Sequence, residues 1–543
     1  MSRLQKFSWI LAFGFLVFLP LQVKSDEAEP DFECRFSVDT TATPTVAPST
    51  GVAKGVAIYA TWDSTTHPKR DTLPFWWKNI WDSTQQLSVP KYFKDNSQGN
   101  YRMQITPFGR DGDTLFCYKT AIFPDTEFDP VFFEEFIDSI LTQADEDINF
   151  ANYDADSDNV VDAVFLIVTN MNVSARGTTL IKASFETKDS SGGLPMLIVG
   201  GEGHIGGNGL NIFANSDQLA LAISAHEWGH CLGLDDLYGG LGNVWWGLGS
   251  FSIMGAGWPN NRAVPIDPYH RIKLGWATAT EVTAPRYVET IPDYLTTGTI
   301  YKVSKSSGEY FLVTNHRGVN PFSDQRGKWE EFFKGYGLLI WHIDTTGNTR
   351  VRSNKLIDVE LAHGLWNLDT LCRRVGADTL PNPVYGRDSL DCAKIINKFY
   401  YGYQPNEVQS GTCFWNGSPK ATFDGLSNPS SDGYRDSIVN SMRVQNIPSH
   451  LANRNISDTL YHSATADLLV NNWYGHVSAN TTWGPGVYAI TGDITVDSGV
   501  TLTIEPGTTI IFQKNEDNQS SGGYSTKSEL IVKRNPDLPR NGG

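Results

Sequence analysis

Residues 224–238, SAHEWGHCLGLDDLY, contain side chains that can bind a metal ion and transfer a proton. The preceding residues are rich in Ala, Leu and Ile and lack Gly and Pro, which predicts a helix through His226 and His230. Positions i and i+4 lie on one helix face, so both imidazoles can bind one ion. Glu227 lies one residue further around the helix, where it reaches water on that ion. The spacing predicts a zinc centre for amide hydrolysis, with Glu227 as the general base.

The third zinc ligand is expected just after the second histidine. Gly233 follows His230 by three residues and marks a place where the helix can end in a left-handed turn. Asp236 lies ten residues after His226, which is the offset of the third ligand in metzincins. A carboxylate oxygen is an accepted zinc ligand, so Asp236 is the expected third ligand. The adjacent Asp235 and a glutamate distant in sequence are the alternatives.

A methionine downstream fits the same pattern. Met254 occurs in the sequence FSIMGAG, 18 residues after Asp236. In metzincins a methionine turn forms the floor beneath the metal. We therefore expect Gly233 and Met254 to support the zinc site without binding the ion.

A second candidate metal site lies in residues 152–162, NYDADSDNVVD. Its oxygen-bearing residues alternate as in the loop of an EF-hand, and Ca²⁺ binds six to eight oxygen ligands. Phe165 stands where an EF-hand has its final glutamate, so the pattern indicates a simpler structural calcium clamp at the start of a strand. The alternative is an acidic turn exposed to solvent. The predicted ligands are the carboxylates of Asp154, Asp156, Asp158 and Asp162 and the carbonyl of Val160.

Together these motifs resemble the immune inhibitor A family of secreted zinc metallopeptidases. The resemblance covers about residues 51–450 and rests on three stretches, which are HEWGHCLGLDDLY, SIMG followed by PIDPY and KLGW, and EYFLVTN followed by GYGLLIWHID. It implies a metzincin-type zinc domain, structural calcium, a β-rich domain behind it and endopeptidase activity on proteins. Asp235 stands where the family commonly has proline, which leaves the choice between Asp235 and Asp236 open.

The N-terminus has the features of an export signal. Residues 1–25 combine Arg3 and Lys6 with an apolar run at 9–21, which is short for a membrane span. We expect a secreted, extracellular protein with no membrane span after signal removal, and an uncleaved anchor is the alternative. Residues 26–50 are interpreted as a short linker or pro-segment.

The remaining chain is predicted to form three units. Residues 51–285 mix strands and helices and would form an α+β, metzincin-like catalytic domain. Residues 286–465 contain short alternating strands that indicate a β-sandwich. Residues 466–543 have regularly spaced strands and turns typical of the first coils of a parallel β-helix. Because few coils fit, this solenoid stub is expected to be incomplete, as in a truncated form of a longer protein.

Composition narrows the possible partners. The 543 residues include 60 acidic and 43 basic side chains, and the net charge of −17 disfavours nucleic acid as a partner. The favoured function is a secreted zinc endopeptidase that acts on proteins or peptides. One alternative is a vestigial enzyme that adheres to a surface or glycan through its β domains, and the C-terminal β segment is the candidate contact. Another is a zinc hydrolase that cleaves a non-peptide amide.

Overall fold

A computed structural model of the protein describes most of the residues between 47 and 534. The predicted signal peptide and most of the predicted linker lie outside the described residues. Across the described part of the chain, no helix combines the length and apolar character needed to cross a bilayer. The described ranges are 47–62, 77–108, 110–111, 114–115, 118–120, 130–169, 176–179, 185–191, 194–198, 202–205, 217–237, 248, 251–255, 263–306, 308–316, 337–347, 356–360, 422–424, 442–447, 463–470, 472–513, 522–524 and 526–534.

The protein is a mixed α/β structure with many strands and few helices. The first part of the chain contains the predicted metal motifs and alternates between strands and helices. Its elements are β1 (Gly51–Trp62), α1 (Trp77–Trp81), α2 (Val89–Asn96), β2 (Tyr101–Phe108), β3 (Arg110–Asp111), β4 (Thr114–Leu115), β5 (Tyr118–Thr120), α3 (Pro130–Ala144), a 3₁₀ turn (Phe150–Tyr153), β6 (Ala163–Thr169), β7 (Arg176–Thr179), β8 (Phe185–Ser191), β9 (Leu194–Ile198), β10 (Glu202–Ile205), α4 (Asp217–Cys231) and α5 (Pro268–Lys273).

A central sheet of this first part has the strand order β2-β1-β6-β10-β7. Its strands run parallel except β7, which pairs antiparallel with β10, and β5 adds to the far end of β1 in parallel. Successive side chains of a strand point to opposite faces. In β1, Ala57 and Tyr59 therefore enter one apolar core while Val56 and Ile58 enter another. Both faces of the sheet are buried, as is typical of parallel strands.

Helices α3 and α4 cover the opposite faces of this sheet. Phe136 and Ile140 of α3 pack in the core that contains Val56 and Ile58 of β1. On the other face, α4 approaches β1 so closely that a Cβ atom on Gly55 would lie 2.7 Å from the ring of Trp228. The absence of a side chain at Gly55 thus allows the helix with the predicted zinc ligands to pack directly on the sheet.

The next part of the chain contains two antiparallel groups of strands. The sheet β11-β13-β14-β15-β16 faces a second sheet, β12-β18-β17, and the pairing of β11 with β13 is parallel. Their elements are β11 (Thr280–Glu281), β12 (Arg286–Pro292), α6 (Tyr294–Thr297), β13 (Tyr301–Ser306), β14 (Glu309–His316), β15 (Gly337–Asp344), β16 (Ile357–Val359), β17 (Met442–Gln445) and β18 (Ser463–Val470).

The two sheets share one apolar core. Phe311 and Val313 of the larger sheet pack there with Val444 and Leu468 of the smaller sheet. Alternate residues of the larger sheet, among them Trp341, face the core around α4 instead. The larger sheet is therefore buried on both sides and supports the helix with the metal motif.

Strand pairing in this part extends beyond the range predicted for the β-sandwich. Residues 286–465 were expected, but β11 at Thr280–Glu281 already pairs with β13. At the other end, β18 continues to Val470, whose side chain is buried in the shared core. The paired strands therefore extend from Thr280 to Val470. Short edge strands carry too few residues for a clear alternation of side chains, so their ends are hard to predict from sequence.

The last part of the chain consists of strands that pair in parallel at short sequence separation. Strand β21 pairs with β19, β23 and β24, and β20 pairs with β22. Trp483, Ile490 and Ile494 form the centre of a separate small core. The elements are β19 (Asn472–Val477), β20 (Thr481–Trp483), β21 (Gly486–Val496), β22 (Leu502–Ile504), β23 (Thr508–Phe512) and β24 (Leu530–Val532).

A buried histidine links strands β14, β15 and the residue after β16. The Nε2 atom of His342 lies 2.8 Å from Oε1 of Glu309, and its Nδ1 atom lies 3.0 Å from Oε1 of Glu360. Burial alone would lower the pKa of His342, but the hydrogen bonds to both carboxylates outweigh this effect and raise the pKa. The folded protein thus favours the imidazolium form.

We predict a pH-dependent contribution of His342 to stability. Because its pKa is raised on folding, the contribution is complete below about 6.5, the ordinary pKa of histidine, and is lost as the pH rises through the folded-state value. The difference in free energy of unfolding between wild type and His342→Gln, measured by urea titration, should therefore shrink from pH 6 towards alkaline pH. A difference that stays constant across this range would contradict the assignment.

Candidate metal centre

Helix α4 ends in a backbone motif that turns the chain back towards its own histidines. Gly233 has a φ of 75°, and its N–H donates to the carbonyl of His230 at 2.8 Å. The N–H of Leu234 donates to the carbonyl of Gly229 at 3.0 Å. These two bonds form a Schellman motif, which requires a left-handed residue at the position of Gly233. The predicted helix end is confirmed, and Asp236 follows immediately after the turn.

Three potential ligand atoms converge in the resulting space. Oδ1 of Asp236 lies 3.3 Å from Nε2 of His226 and 3.4 Å from Nε2 of His230. All three side chains are buried. The two imidazole rings are nearly perpendicular, with an interplanar angle of 87°. The structure thus brings together the three residues that the sequence predicted as zinc ligands.

These separations fit a single tetrahedral zinc ion. Zinc binds histidine nitrogen and carboxylate oxygen at about 2.0–2.1 Å, and two such atoms in tetrahedral geometry are about 3.3 Å apart. The distances from Asp236 to the two histidines match this value. The donor set of two imidazoles and one carboxylate is also one that zinc accepts in catalytic sites.

Backbone carbonyls fix which nitrogen of each histidine faces this centre. Nδ1 of His226 lies 2.8 Å from the carbonyl oxygen of Ile253, and Nδ1 of His230 lies 2.8 Å from that of Leu234. A carbonyl oxygen only accepts hydrogen bonds, so each Nδ1 carries the proton and each Nε2 has a free lone pair. Both histidines are therefore held in the tautomer that a metal ligand needs.

The side chains of Asp235 and Asp236 point to different partners. Asp235 is about half exposed, and its Oδ2 atom lies 3.4 Å from Nζ of Lys273, away from the two histidines. Among the described residues, the group of potential metal ligands around these histidines contains one glutamate, Glu227. Asp236 is therefore the carboxylate that the structure places between the histidines.

Burial and charge act in opposite directions on Asp236. Burial alone would raise the pKa of this carboxyl, but the charge and hydrogen bonds that His230 and His226 offer when both ring nitrogens are protonated lower it far more. The net result is a pKa well below the usual range for aspartate. Asp236 is thus an anion at neutral pH, as a zinc ligand must be.

Glu227 lies beside the ring nitrogens of the two histidines. Its carboxylate and the nitrogens of His226 and His230 all lie within 4.8 Å of one another, and the side chain is 2% exposed. This separation is short enough for a hydrogen bond through one water molecule. Glu227 thus occupies the position expected for a general base.

The predicted methionine turn lies directly beneath the helix. A Cβ atom on Gly229 would lie 2.6 Å from the sulfur of Met254, so only glycine allows this approach. The turn is held by hydrogen bonds from the N–H of Ile253 to Pro265 and from the N–H of Leu237 to the carbonyl of Met254. The structure thus places Gly233 at the helix end and Met254 beneath the helix, and their roles in supporting zinc stay predictions.

The predicted calcium loop forms in part. Carboxylate oxygens of Asp154, Asp156 and Asp162 lie within 4.8 Å of one another, and the first and last of these residues are buried. Asp158 does not belong to this group. It is exposed, and its Oδ1 atom accepts a hydrogen bond from the N–H of Val160 at 2.8 Å. The carboxylate of Asp158 thus caps the turn locally, and its role as a calcium ligand stays a prediction.

Asp162 connects the loop to the central sheet. Its carboxylate accepts hydrogen bonds from the N–H of Lys54 in β1 at 2.7 Å and from the N–H of Ala155 at 2.9 Å. Burial, helped by the charges of Asp156 and Asp154, raises the pKa of Asp162 to about 6. A cation at this loop would offset the cost of holding three carboxylates together.

Several residues around the zinc ligands were missed by the sequence analysis. Ser252, Asp267 and Lys273 contact the backbone or side chains of the turns that support the ligands. The sequence Asp267–Pro268 is a recognisable helix start, since aspartate caps helices and proline suits the first turn. Nothing in the sequence alone connected that helix to the metal centre.

Comparison with models of known protein families and with curated proteins found no match for this chain.

We predict that Asp236 and Asp235 differ sharply in their effect on zinc binding. Groups that merely orient a metal ligand cost about 10–100-fold in affinity when removed, so loss of the ligand in Asp236→Asn should cost more than about 100-fold. Asp235→Asn, the adjacent control, keeps a side-chain oxygen beside Nζ of Lys273 and should change the zinc affinity severalfold at most. Competition with a chromophoric chelator measures both affinities, and equal losses would contradict the assignment.

We also predict that calcium stabilises the protein through Asp162. Binding to the folded state alone contributes about 2.7 kcal/mol at a ligand concentration 100 times Kd, which should raise the wild-type Tm. Asp162→Asn should lose this response, whereas Asp158→Asn should retain it. Calorimetry in excess calcium and in a calcium chelator measures the shift. A wild-type Tm that is the same in both solutions would refute a calcium site.

Proposed function

We propose that the protein is a zinc-dependent endopeptidase. The observation that carries the proposal is the convergence of His226, His230 and Asp236 at separations that fit one tetrahedral zinc ion, with Glu227 beside them. Three protein ligands leave one position open for water or substrate, which is the arrangement of catalytic rather than structural zinc.

The surrounding fold supports a metzincin-like catalytic domain. The helix with the ligands packs on a mostly parallel sheet that has an antiparallel edge strand, β7. The helix ends at a left-handed glycine, the third ligand follows, and a methionine turn lies beneath. We further propose that the two facing sheets between Thr280 and Val470 form a β-sandwich and that the parallel strands after it form a short solenoid segment.

The proposed mechanism assigns a role to each group of the site. Zinc, when bound, would make a water molecule acidic and polarise the scissile carbonyl. His226, His230 and Asp236 would hold the ion in place, with both histidines oriented by backbone carbonyls. Glu227 would accept the proton of the attacking water and deliver it to the amine of the departing peptide.

The substrate and location are proposed from the sequence. The resemblance to secreted metallopeptidases supports proteins or peptides as substrates. The N-terminal signal pattern supports export to the extracellular space, where calcium is available for the loop around Asp162. Calcium would there act as a structural ion that ties the loop to β1.

The test is a comparison of Glu227→Gln with wild type. Loss of general-base catalysis costs about 10²–10⁴-fold in rate, so cleavage of casein should fall by that factor while stoichiometric zinc is retained. Glu281→Gln removes a glutamate that pairs with Lys302 at the surface and serves as the matched control with wild-type activity.

Two results would overturn the proposal. If Glu227→Gln cleaves casein at the wild-type rate, Glu227 is not the general base. Absence of zinc from wild-type protein purified with excess metal would exclude a zinc enzyme and favour the surface-binding alternative.

A further inference from the structure

We propose that the short helix α5 orients both zinc-binding histidines, through Asp267 at its start and Lys273 at its end. This inference rests on the proposed zinc site and assigns positioning roles to residues that bind neither metal nor substrate. Each end of α5 acts through its own chain of hydrogen bonds. Each chain of hydrogen bonds fixes one of the two carbonyls that accept a hydrogen bond from a histidine.

The first chain begins at Asp267 and ends at His226. Oδ2 of Asp267 accepts a hydrogen bond from the hydroxyl of Ser252 at 2.7 Å. The oxygen of that hydroxyl accepts the N–H of Met254 at 3.1 Å. Ile253 lies between the two residues held in this way, and its carbonyl is 2.8 Å from Nδ1 of His226. Asp267 thereby fixes the direction of the carbonyl that orients His226.

Asp267 is itself held rigidly. It is 1% exposed, and its Oδ1 atom accepts the N–H of His270 at 2.9 Å as the N-cap of α5. Burial would raise the pKa of this carboxyl, but His270 and Ser252 lower it by charge and hydrogen bonding. The group is therefore a permanent acceptor at neutral pH, and its position is set by the first turn of α5.

The second chain begins at Lys273 and ends at His230. Nζ of Lys273 donates to the carbonyl of Gly233 at 2.8 Å and lies 3.4 Å from Oδ2 of Asp235. Gly233 and Asp235 flank Leu234, whose carbonyl accepts a hydrogen bond from Nδ1–H of His230. The same turn leads directly to Asp236, so Lys273 acts on two of the three ligands.

The two chains share one rigid base. Six helical residues span about 9 Å, so α5 fixes the distance between its two ends. The helix is anchored in turn by α6, since the guanidinium of Arg271 lies 4.4 Å from the centre of the Tyr294 ring. The hydroxyl of Tyr294 also donates to the carbonyl of Ile266 at 2.8 Å. A displacement of α5 would therefore rotate both imidazoles at once.

Ser252→Ala tests the first chain, with Ser97→Ala as its matched control. Both serines are fully buried, and the Oγ atom of Ser97 likewise accepts a backbone N–H, that of Tyr101 at 3.0 Å, outside the metal site. Both variants lose a buried hydrogen bond, but only Ser252→Ala should raise the zinc Kd, by about 10-fold, in chelator competition. Its cobalt-substituted form should also show an altered visible spectrum.

Lys273→Met tests the second chain without disturbing the core, because the Lys273 side chain is 41% exposed. We expect a severalfold rise in zinc Kd that Lys273→Arg restores, since arginine keeps a donor at this place. The losses in the double variant Ser252→Ala/Lys273→Met should add, because the chains are separate.

The outcomes separate this inference from the proposed function. Zinc affinity equal to wild type in both Ser252→Ala and Lys273→Met would overturn the role of α5, even if the protein cleaves casein. Equal losses of zinc affinity in Ser252→Ala and Ser97→Ala would show that the loss comes from general destabilisation. That result would also overturn the role of α5. The converse result is a raised zinc Kd in both Ser252→Ala and Lys273→Met together with cleavage of casein by Glu227→Gln at the wild-type rate. That pair of results would support the positioning role of α5 and overturn the proposed function.

Discussion

The hydrogen bonds from His226 and His230 to the carbonyls of Ile253 and Leu234 are the interaction on which the rest of the site depends. A neutral imidazole has one donor and one acceptor nitrogen, and only a fixed donor leaves the other nitrogen pointing in a fixed direction. One carbonyl belongs to the turn that ends the ligand helix, and the other belongs to the methionine turn beneath it. The structure around the helix therefore serves to hold the carbonyl groups of Ile253 and Leu234 in place.

That support is built from several layers. Every residue of the ligand helix from 220 to 231 is buried, so the helix has no solvent face along this stretch. The central sheet covers one side, where Gly55 permits contact with Trp228. Trp341 of the next sheet belongs to the same core. A helix enclosed in this way has little freedom to shift, and its two histidines keep their separation.

The sequence predicted the parts of the site that depend on local spacing. The helical HExxH pattern, the turn at Gly233 and the offset of Asp236 all follow from positions a few residues apart. The choice between Asp235 and Asp236 does not follow from spacing, because it depends on the direction in which each of two adjacent side chains points after the turn. The orientation of Asp158 did not follow from local spacing either, since its side chain caps its own turn.

Contacts between distant segments were beyond the reach of sequence reasoning. Lys273 and Gly233 are 40 residues apart, and their hydrogen bond exists only because α5 packs beside the end of the ligand helix. The fold class followed from periodicity, with strands and helices mixed before Thr280 and strands after it. Strand pairing extends a few residues beyond the predicted range of 286–465, and β11 has only two residues and little pattern of its own.

The close packing of Met254 against Gly229 has a consequence for the oxidation of this methionine. A methyl group placed on Gly229 would lie 2.6 Å from the sulfur, so the side of the thioether that faces the helix has no room for an added oxygen atom. Conversion of Met254 to its sulfoxide would require the ligand helix to lift from the turn. The folded core therefore shields this sulfur, and oxidative damage at the site would begin with local opening rather than with direct attack.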